Sequence, residues 1–265
     1  MSKNIKEIEI KIALQTWTIQ NLLLLVPEKT LTEIHSMGYN YLELAGTAGL
    51  PPKEFKQLCG KIKLKIEGIH QPHLRSKNSD KLIAEIKKNC RIFKPKYVTV
   101  MLNPYKRNMT ESYVEYAKLC KYVGEYLSSK GMTLCYHCFS YDLIPLSDNL
   151  DSQSGLDILL QNTSREHLSF ELDTYFLFKS NIPYKEILGK CQSRCKAVHV
   201  CDIDENHNRK NVGDGIIPWP KLIKDFIDIC HVKLFIIENH YGTRLESVRY
   251  SYKNFLEAIR KVQGT

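Results

Sequence analysis

No apolar run in this chain approaches the ~20 residues that a bilayer-spanning helix needs, and the leucine-rich stretch NLLLLVP falls far short. The opening MSKNIKEIEIKI holds no apolar segment of signal-peptide length, so the expectation is a soluble, cytoplasmic protein with no membrane partner. No linker, low-complexity tract or internal repeat sets off a second domain. No G-x-G-x-x-G follows the first apolar segment, KIALQTWTI, which argues against a dinucleotide fold. That segment also lacks histidine, which disfavours metallohydrolases of the H-x-H type. The nine cysteines are odd in number, and the pair Cys191 and Cys195 has no second pair at zinc-site spacing. Free thiols in a reducing compartment are the simplest reading. Acidic residues are outnumbered 29 to 38, giving a net charge of +9. The lysines are nevertheless dispersed, in KNIKEIEIK, KIKLK, KKN and KVQ, as solvated helix faces are; net charge alone is weak ground for a nucleic-acid partner.

The chain does hold enough apolar residues, 43% of 265, for a sizeable core. Eight apolar or alternating segments read as strands: 11–19, 39–45, 64–70, 97–103, 133–139, 168–176, 197–203 and 233–240. Helical spacing fills the intervals. Leu31, Ile34 and Met37 precede a capping Gly38; Leu82, Ile83 and Ile86 follow Ser79 and Asp80. Segment 111–130 carries Tyr113, Tyr116, Ala117, Cys120, Val123 and Leu127 on one stripe, a short helix is expected at about 155–162, and 245–262 closes the chain. Eight alternations in a chain near ~250 residues predict an α/β fold, a single-domain (β/α)8 TIM barrel over residues 1–265.

Four of these strands carry a metal-capable side chain at or near the carboxyl end: His137, Asp173, His199 and Glu238. Imidazole and carboxylate together suit a borderline divalent cation such as manganese, cobalt, iron or zinc. In a barrel, strand carboxyl ends converge, so the four are expected to meet at one rim.

The order of LQTWTI, GYNYLELAG, GIHQPH, YHCF, ELDTYF, VHVCD, GDGIIPW and FIIENHYG resembles the xylose isomerase-like barrel superfamily, in particular its sugar phosphate isomerase/epimerase group. The resemblance implies one divalent metal ion (Mn, Co, Mg, Fe or Zn) held by side chains from strands five to eight, and a small carbohydrate or polyol substrate. By position, Asp173, His199 and Glu238 match the ligands. His137 stands where many relatives carry a glutamate, as a ligand or as a histidine beside the metal, so only Glu238 survives of the family's paired acid/base glutamates. Cys201 replaces a lysine and Phe139 a histidine.

The expected reaction is isomerisation or epimerisation by proton abstraction next to a carbonyl, with Glu238 as base and His137 or His70 returning the proton. Trp17, Glu43, His70 and Phe139 are expected to contact substrate; Tyr105, Tyr175 and Trp219 are further aromatic candidates for the wall. Glu171, on the face of Asp173, reads as polar barrel interior. No role is assigned to His35, His73, His167, His207 or His231. The alternatives are an inosose-type dehydratase, a binding barrel without turnover, and an apurinic endonuclease-like enzyme. The last is disfavoured because Asn103 and Phe176 stand where that branch needs histidines. A homodimer is left open.

Overall fold

The computed structural model describes residues 5–71, 79–102, 109–147, 152–239 and 245–264. Eight parallel strands close on themselves: β1 (Lys11–Gln15), β2 (Tyr41–Leu44), β3 (Lys65–His70), β4 (Tyr97–Val100), β5 (Thr133–Cys138), β6 (Ser169–Asp173), β7 (Cys195–Val200) and β10 (Leu234–Ile237). Strand β1 pairs with both β2 and β10, which leaves no barrel edge unpaired. An antiparallel hairpin, β8 (Asp202–Ile203) with β9 (Arg209–Lys210), interrupts the alternation after β7 and is not foreshadowed by the hydrophobic pattern.

Around the barrel lie α1 (Gln20–Leu25), α2 (Pro27–Ser36), α3 (Pro52–Ile62), α4 (Ser79–Phe93), α5 (Thr110–Ser128), α6 (Ser140–Leu143), α7 (Gly155–Asn162), α8 (Thr174–Lys179), α9 (Tyr184–Cys191), α10 (Trp219–Cys230) and α11 (Leu245–Gln263). No helix among the described residues is long and apolar enough to cross a membrane. All nine cysteines are free and buried.

Strands end earlier than the alternation suggests, because polar side chains at their carboxyl ends cap the adjoining turn or helix. Gln15 Oε1 accepts the Trp17 N–H at 3.2 Å, turning the chain into a 3-10 turn at Thr16–Ile19. Asp173 Oδ1 accepts the Tyr175 N–H at 2.8 Å and starts α8, so Thr174 to Phe176 belong to a helix rather than to strand six.

Side-chain alternation divides the interior into layers. One face of each strand points outward to the helices: Leu14, Leu42, Tyr136, Phe170 and Phe235 belong to the same apolar core as the helical Phe55, Phe226 and Phe255. The inward face begins with Ala13, Tyr97, Cys135, Ala197 and Ile236, which plug the lower barrel. The Tyr97 ring lies across Gly68, where any Cβ would collide with it. Two residues further along the strands come Gln15, Glu43, Thr99, His137, Glu171 and His199, all buried. The barrel therefore changes from apolar to polar within one residue pair.

Candidate metal centre

His137, Asp173, His199 and Glu238 do converge, each offering a ligand atom within 4.8 Å of the others. Parallel register places them: His137 lies opposite Glu171, Asp173 opposite His199, and His199 opposite Ile236, two residues before Glu238. The loop ends are stitched together. Thr174 Oγ1 donates to the Cys201 carbonyl at 2.7 Å and accepts the Cys201 N–H at 2.9 Å, fixing β6 against β7. Beyond β10, the Glu238 N–H reaches the Val200 carbonyl at 3.1 Å, and Asn239 donates to Thr18 Oγ1 at 3.0 Å and to Asn211 Oδ1 at 2.7 Å.

His199 is clamped at both ring nitrogens. Its Nε2 lies 2.7 Å from Glu43 Oε2, and its Nδ1 lies 3.1 Å from Glu238 Oε2. Glu43 also accepts a hydrogen bond from Gln15 Nε2. A carboxylate behind an imidazole fixes the tautomer and leaves the other nitrogen for a cation, the arrangement by which metal-binding histidines are oriented. Fully buried and absent from the cavity wall, Glu43 orients His199; the expectation that it meets substrate does not fit this position.

The electrostatics follow from burial and crowding. Burial works against a charge on His199, but Glu171, Glu238 and Glu43 prevail and raise its pKa well above the ordinary imidazole value. Burial, with the charges of His199 and His70, pushes His137 well below it. Burial and the neighbouring Glu43 hold Glu171 well above the usual carboxylate range. Burial raises Asp173 too, although Arg209 opposes the rise. Burial would also raise Glu43, yet the charge and hydrogen bond of His199 keep it below its usual value. Among the described residues, Asp173 Oδ2 and His137 Nδ1 are buried without a hydrogen-bond partner. Buried polar atoms left unpaired are costly, and with ligand atoms of the four residues all within 4.8 Å of one another the donor set fits a divalent ion.

Above this floor opens a cavity of about 310 Å³, within the range of small-ligand sites. His70, His137 and Glu238 line it, whereas Asp173 and His199 lie beneath. Trp17 and Phe139 form part of its wall, together with Met101 and Phe176, which the sequence pattern does not assign to it. Trp17 is 52% exposed at the mouth. Phe139 stacks against Tyr141 and is held by its N–H on buried Asp142, which also accepts hydrogen bonds from Tyr113 and Tyr136. Trp219 instead opens α10 and donates its indole N–H to Asp202 of β8 at 2.8 Å, and Tyr105 lies outside the described residues, as do His73 and Asn103.

Arg209 has no counterpart among the residues expected from the sequence. Its guanidinium stacks 3.9 Å from the Tyr175 ring centroid, donates to Cys201 Sγ at 3.3 Å and lines the cavity. The site thus holds a cation beside Cys201. A hairpin of two-residue strands carries it, too short for a periodic signal, which is why the pattern gives no warning.

The sequence pattern of the xylose isomerase-like TIM barrel family matches residues 31–262. The chain belongs to that family. No curated protein matches it significantly. Among solved structures, this family member resembles a sugar phosphate isomerase/epimerase from Parabacteroides distasonis ATCC 8503, with a TM-score of 0.75 and 20% identity, covering 97% of this chain and 93% of that one. An IOLI protein with a bound zinc atom gives a TM-score of 0.71 at 12% identity, covering 96% and 98% of the two chains. D-psicose 3-epimerase, in the presence of D-fructose, gives 0.71 at 11% identity, covering 97% and 100%. At these identities the likeness establishes the fold.

Proposed function

We propose that this xylose isomerase-like barrel is a metal-dependent isomerase or epimerase of a small polyhydroxylated carbonyl compound, a sugar or sugar phosphate. The observation that carries the reading is the clamping of His199 between Glu43 and Glu238, beside Asp173 and at the floor of an aromatic-walled cavity. Asp173, His199 and Glu238 would hold the ion, with His137 beside them as a further donor. When bound, a divalent ion supplies positive charge that polarises a carbonyl and the hydroxyl next to it.

The chain's own residues do the rest. Trp17, Phe139 and Phe176 cover the apolar face of a small ring or chain and keep water from it. Arg209, held flat on Tyr175, presents its donors to a substrate oxygen or phosphate. Glu238, which lines the cavity, takes the proton from the carbon beside the carbonyl. His137 stays neutral in this setting, as a metal donor must, and His70 stands on the same wall to return a proton. The sugar isomerases and epimerases among the similar structures support this class of substrate.

The test is deuterium wash-in from heavy water across a panel of ketoses, sugar phosphates and inososes, read by mass spectrometry. Exchange should occur with at least one compound, and Glu238→Gln should slow it by roughly 10²- to 10⁴-fold. Wild-type rates in that variant would place the base elsewhere. Exchange with none of the panel would favour a binding barrel without turnover.

A further inference from the structure

The metal-capable residues occupy the carboxyl ends of the strands; a different concentration of charge lies at the amino ends. Lysines that are dispersed along the sequence gather there. Lys11 opens β1, Lys96 directly precedes β4, Lys196 is the second residue of β7 and Lys233 directly precedes β10. With Arg165, from the turn before β6, they line a cavity of about 370 Å³, the size of a small-ligand site. Tyr97 and Leu234 of the apolar plug also line it, and no described residue lines both this cavity and the one above the metal-capable floor.

Glu67 is the one carboxylate among the described residues of the cavity wall. It is buried; Lys11 Nζ donates to its Oε1 at 2.8 Å, and Lys96 Nζ lies 3.1 Å from its Oε2. Burial works against the charge on Lys11, but Glu67 keeps its pKa above the ordinary ammonium value. The strand pairing adds a second, independent observation. The β2–β3 register steps past Glu67 and the β6–β7 register steps past Lys196, so each is the extra residue of a bulge. Bulges re-aim side chains, and both of these supply a charged residue to the wall of this one cavity.

Five cations around one carboxylate repel one another, and a concave wall of a single sign focuses the field into the space it encloses. An anion relieves that repulsion. A single phosphate group, with about two negative charges, offsets only part of the excess, whereas linked phosphates match it and offer oxygens to several lysine and arginine donors at once. We propose that this cavity binds an oligophosphate, a run of two or more linked phosphate groups, either inorganic or the tail of a nucleotide. The site is independent of the reaction proposed at the opposite end of the barrel. Beyond Lys96 the positive surface continues into a second basin with Arg91, Lys94 and Lys130, which leaves room for a longer anion. The rings of both cavities are already engaged: Lys87 sits over Tyr126 at 4.7 Å, and Tyr97 is buried across Gly68. A nucleic-acid strand, which stacks its bases on free aromatic faces, is therefore disfavoured.

The experiment is isothermal titration calorimetry of the full-length protein with inorganic tripolyphosphate and, separately, with ATP, without magnesium and at about 0.1 M salt. Tripolyphosphate should bind, and more weakly as salt is raised. The double variant Lys196→Gln, Lys233→Gln should weaken binding roughly ten- to a hundredfold. Arg165→Gln, at an exposed turn residue, should weaken it several-fold and keeps the test intact if the double variant folds poorly. The pair Lys29→Gln, Lys53→Gln removes the same charge from exposed positions on α2 and α3 and should leave the affinity unchanged, as should Arg209→Gln in the other cavity. Equal affinities for the two ligands would identify the phosphate chain as the part recognised; a tighter ATP would add a contact to the nucleoside. Absence of binding by either, equal weakening by the Lys29 and Lys53 pair, or loss of binding in Arg209→Gln would overturn the site. So would a short single-stranded oligonucleotide that binds more tightly than both and responds to the same variants.

Discussion

Glu43 and His199, 156 residues apart in sequence, are joined by a 2.7 Å contact at the centre of the barrel. A buried carboxylate in that position acts through the ring it holds. Glu43→Gln should therefore weaken divalent-metal affinity about 10- to 100-fold while leaving the cavity wall unchanged. Titration against a competing metal buffer reads the effect; an unaltered affinity would show that His199 is oriented by something else.

Asp173 has two jobs that can be separated. Its Oδ1 caps α8 through the Tyr175 N–H, and its Oδ2 faces His137 at 3.8 Å. Asp173→Asn keeps a capping oxygen and should lose metal with little change in thermal stability. Asp173→Ala should lose metal and, in addition, about 1 kcal/mol of stability. Paired chemical melts of the two metal-stripped variants make the comparison. Equal stability would remove the cap from the account.

The pH response should reverse with metal. In the stripped protein the folded pKa of His199 is raised, so its stabilising contribution is complete below the unfolded value of about 6.5 and is lost as pH rises through the folded value. Glu171 and Asp173, also raised, bind protons more tightly folded than unfolded, and their ionisation at rising pH subtracts further. His137, depressed, opposes the trend only below about 6.5. Melting temperature should thus fall as the stripped protein is taken from about pH 6.5 upward. Metal binding requires neutral His199, so affinity should rise over the same interval and the loaded protein should gain stability relative to the stripped one. Differential scanning fluorimetry with and without chelator tests both slopes; parallel curves would remove His199 from the coordination shell.

Gly68→Ala tests the barrel floor. The added methyl group would meet the Tyr97 ring, which is buried among Ala13, Cys135 and Ala197 and has no room to swing away. A destabilisation of about 1–3 kcal/mol is expected, seen as a lower denaturant midpoint at unchanged slope. Restoration by Tyr97→Phe would locate the clash at the hydroxyl, and restoration only by Tyr97→Leu at the ring.

Period and order suffice to read the barrel from the sequence. Eight short apolar strands separated by helical stripes admit few closed arrangements, and the carboxyl ends of strands five to eight have to share a rim. The four metal-capable residues are legible for that reason. Glu43 is legible as a strand-end glutamate but not as the partner of His199, because alternation gives the face of a residue and not its depth. Phe176 reads as part of a strand, yet Asp173 has already capped a helix before it. Arg209 has no signal: its position depends on the hairpin turn, on Asp204 accepting the N–H groups of Asn206 and Asn208, and on stacking against Tyr175.

That hairpin has a consequence for how such a site can diversify. The floor residues are locked into strands whose every neighbour is packed, so changing one disturbs the barrel itself. Arg209 rides on an excursion anchored separately, with Asp202 accepting the Gly213 and Ile217 N–H groups at 2.9 and 3.2 Å and the Trp219 indole N–H at 2.8 Å. The turn between those anchors can be lengthened, shortened or recharged at small cost to the scaffold. The cavity wall can therefore vary as a loop, while the buried polar floor is inherited as a fold.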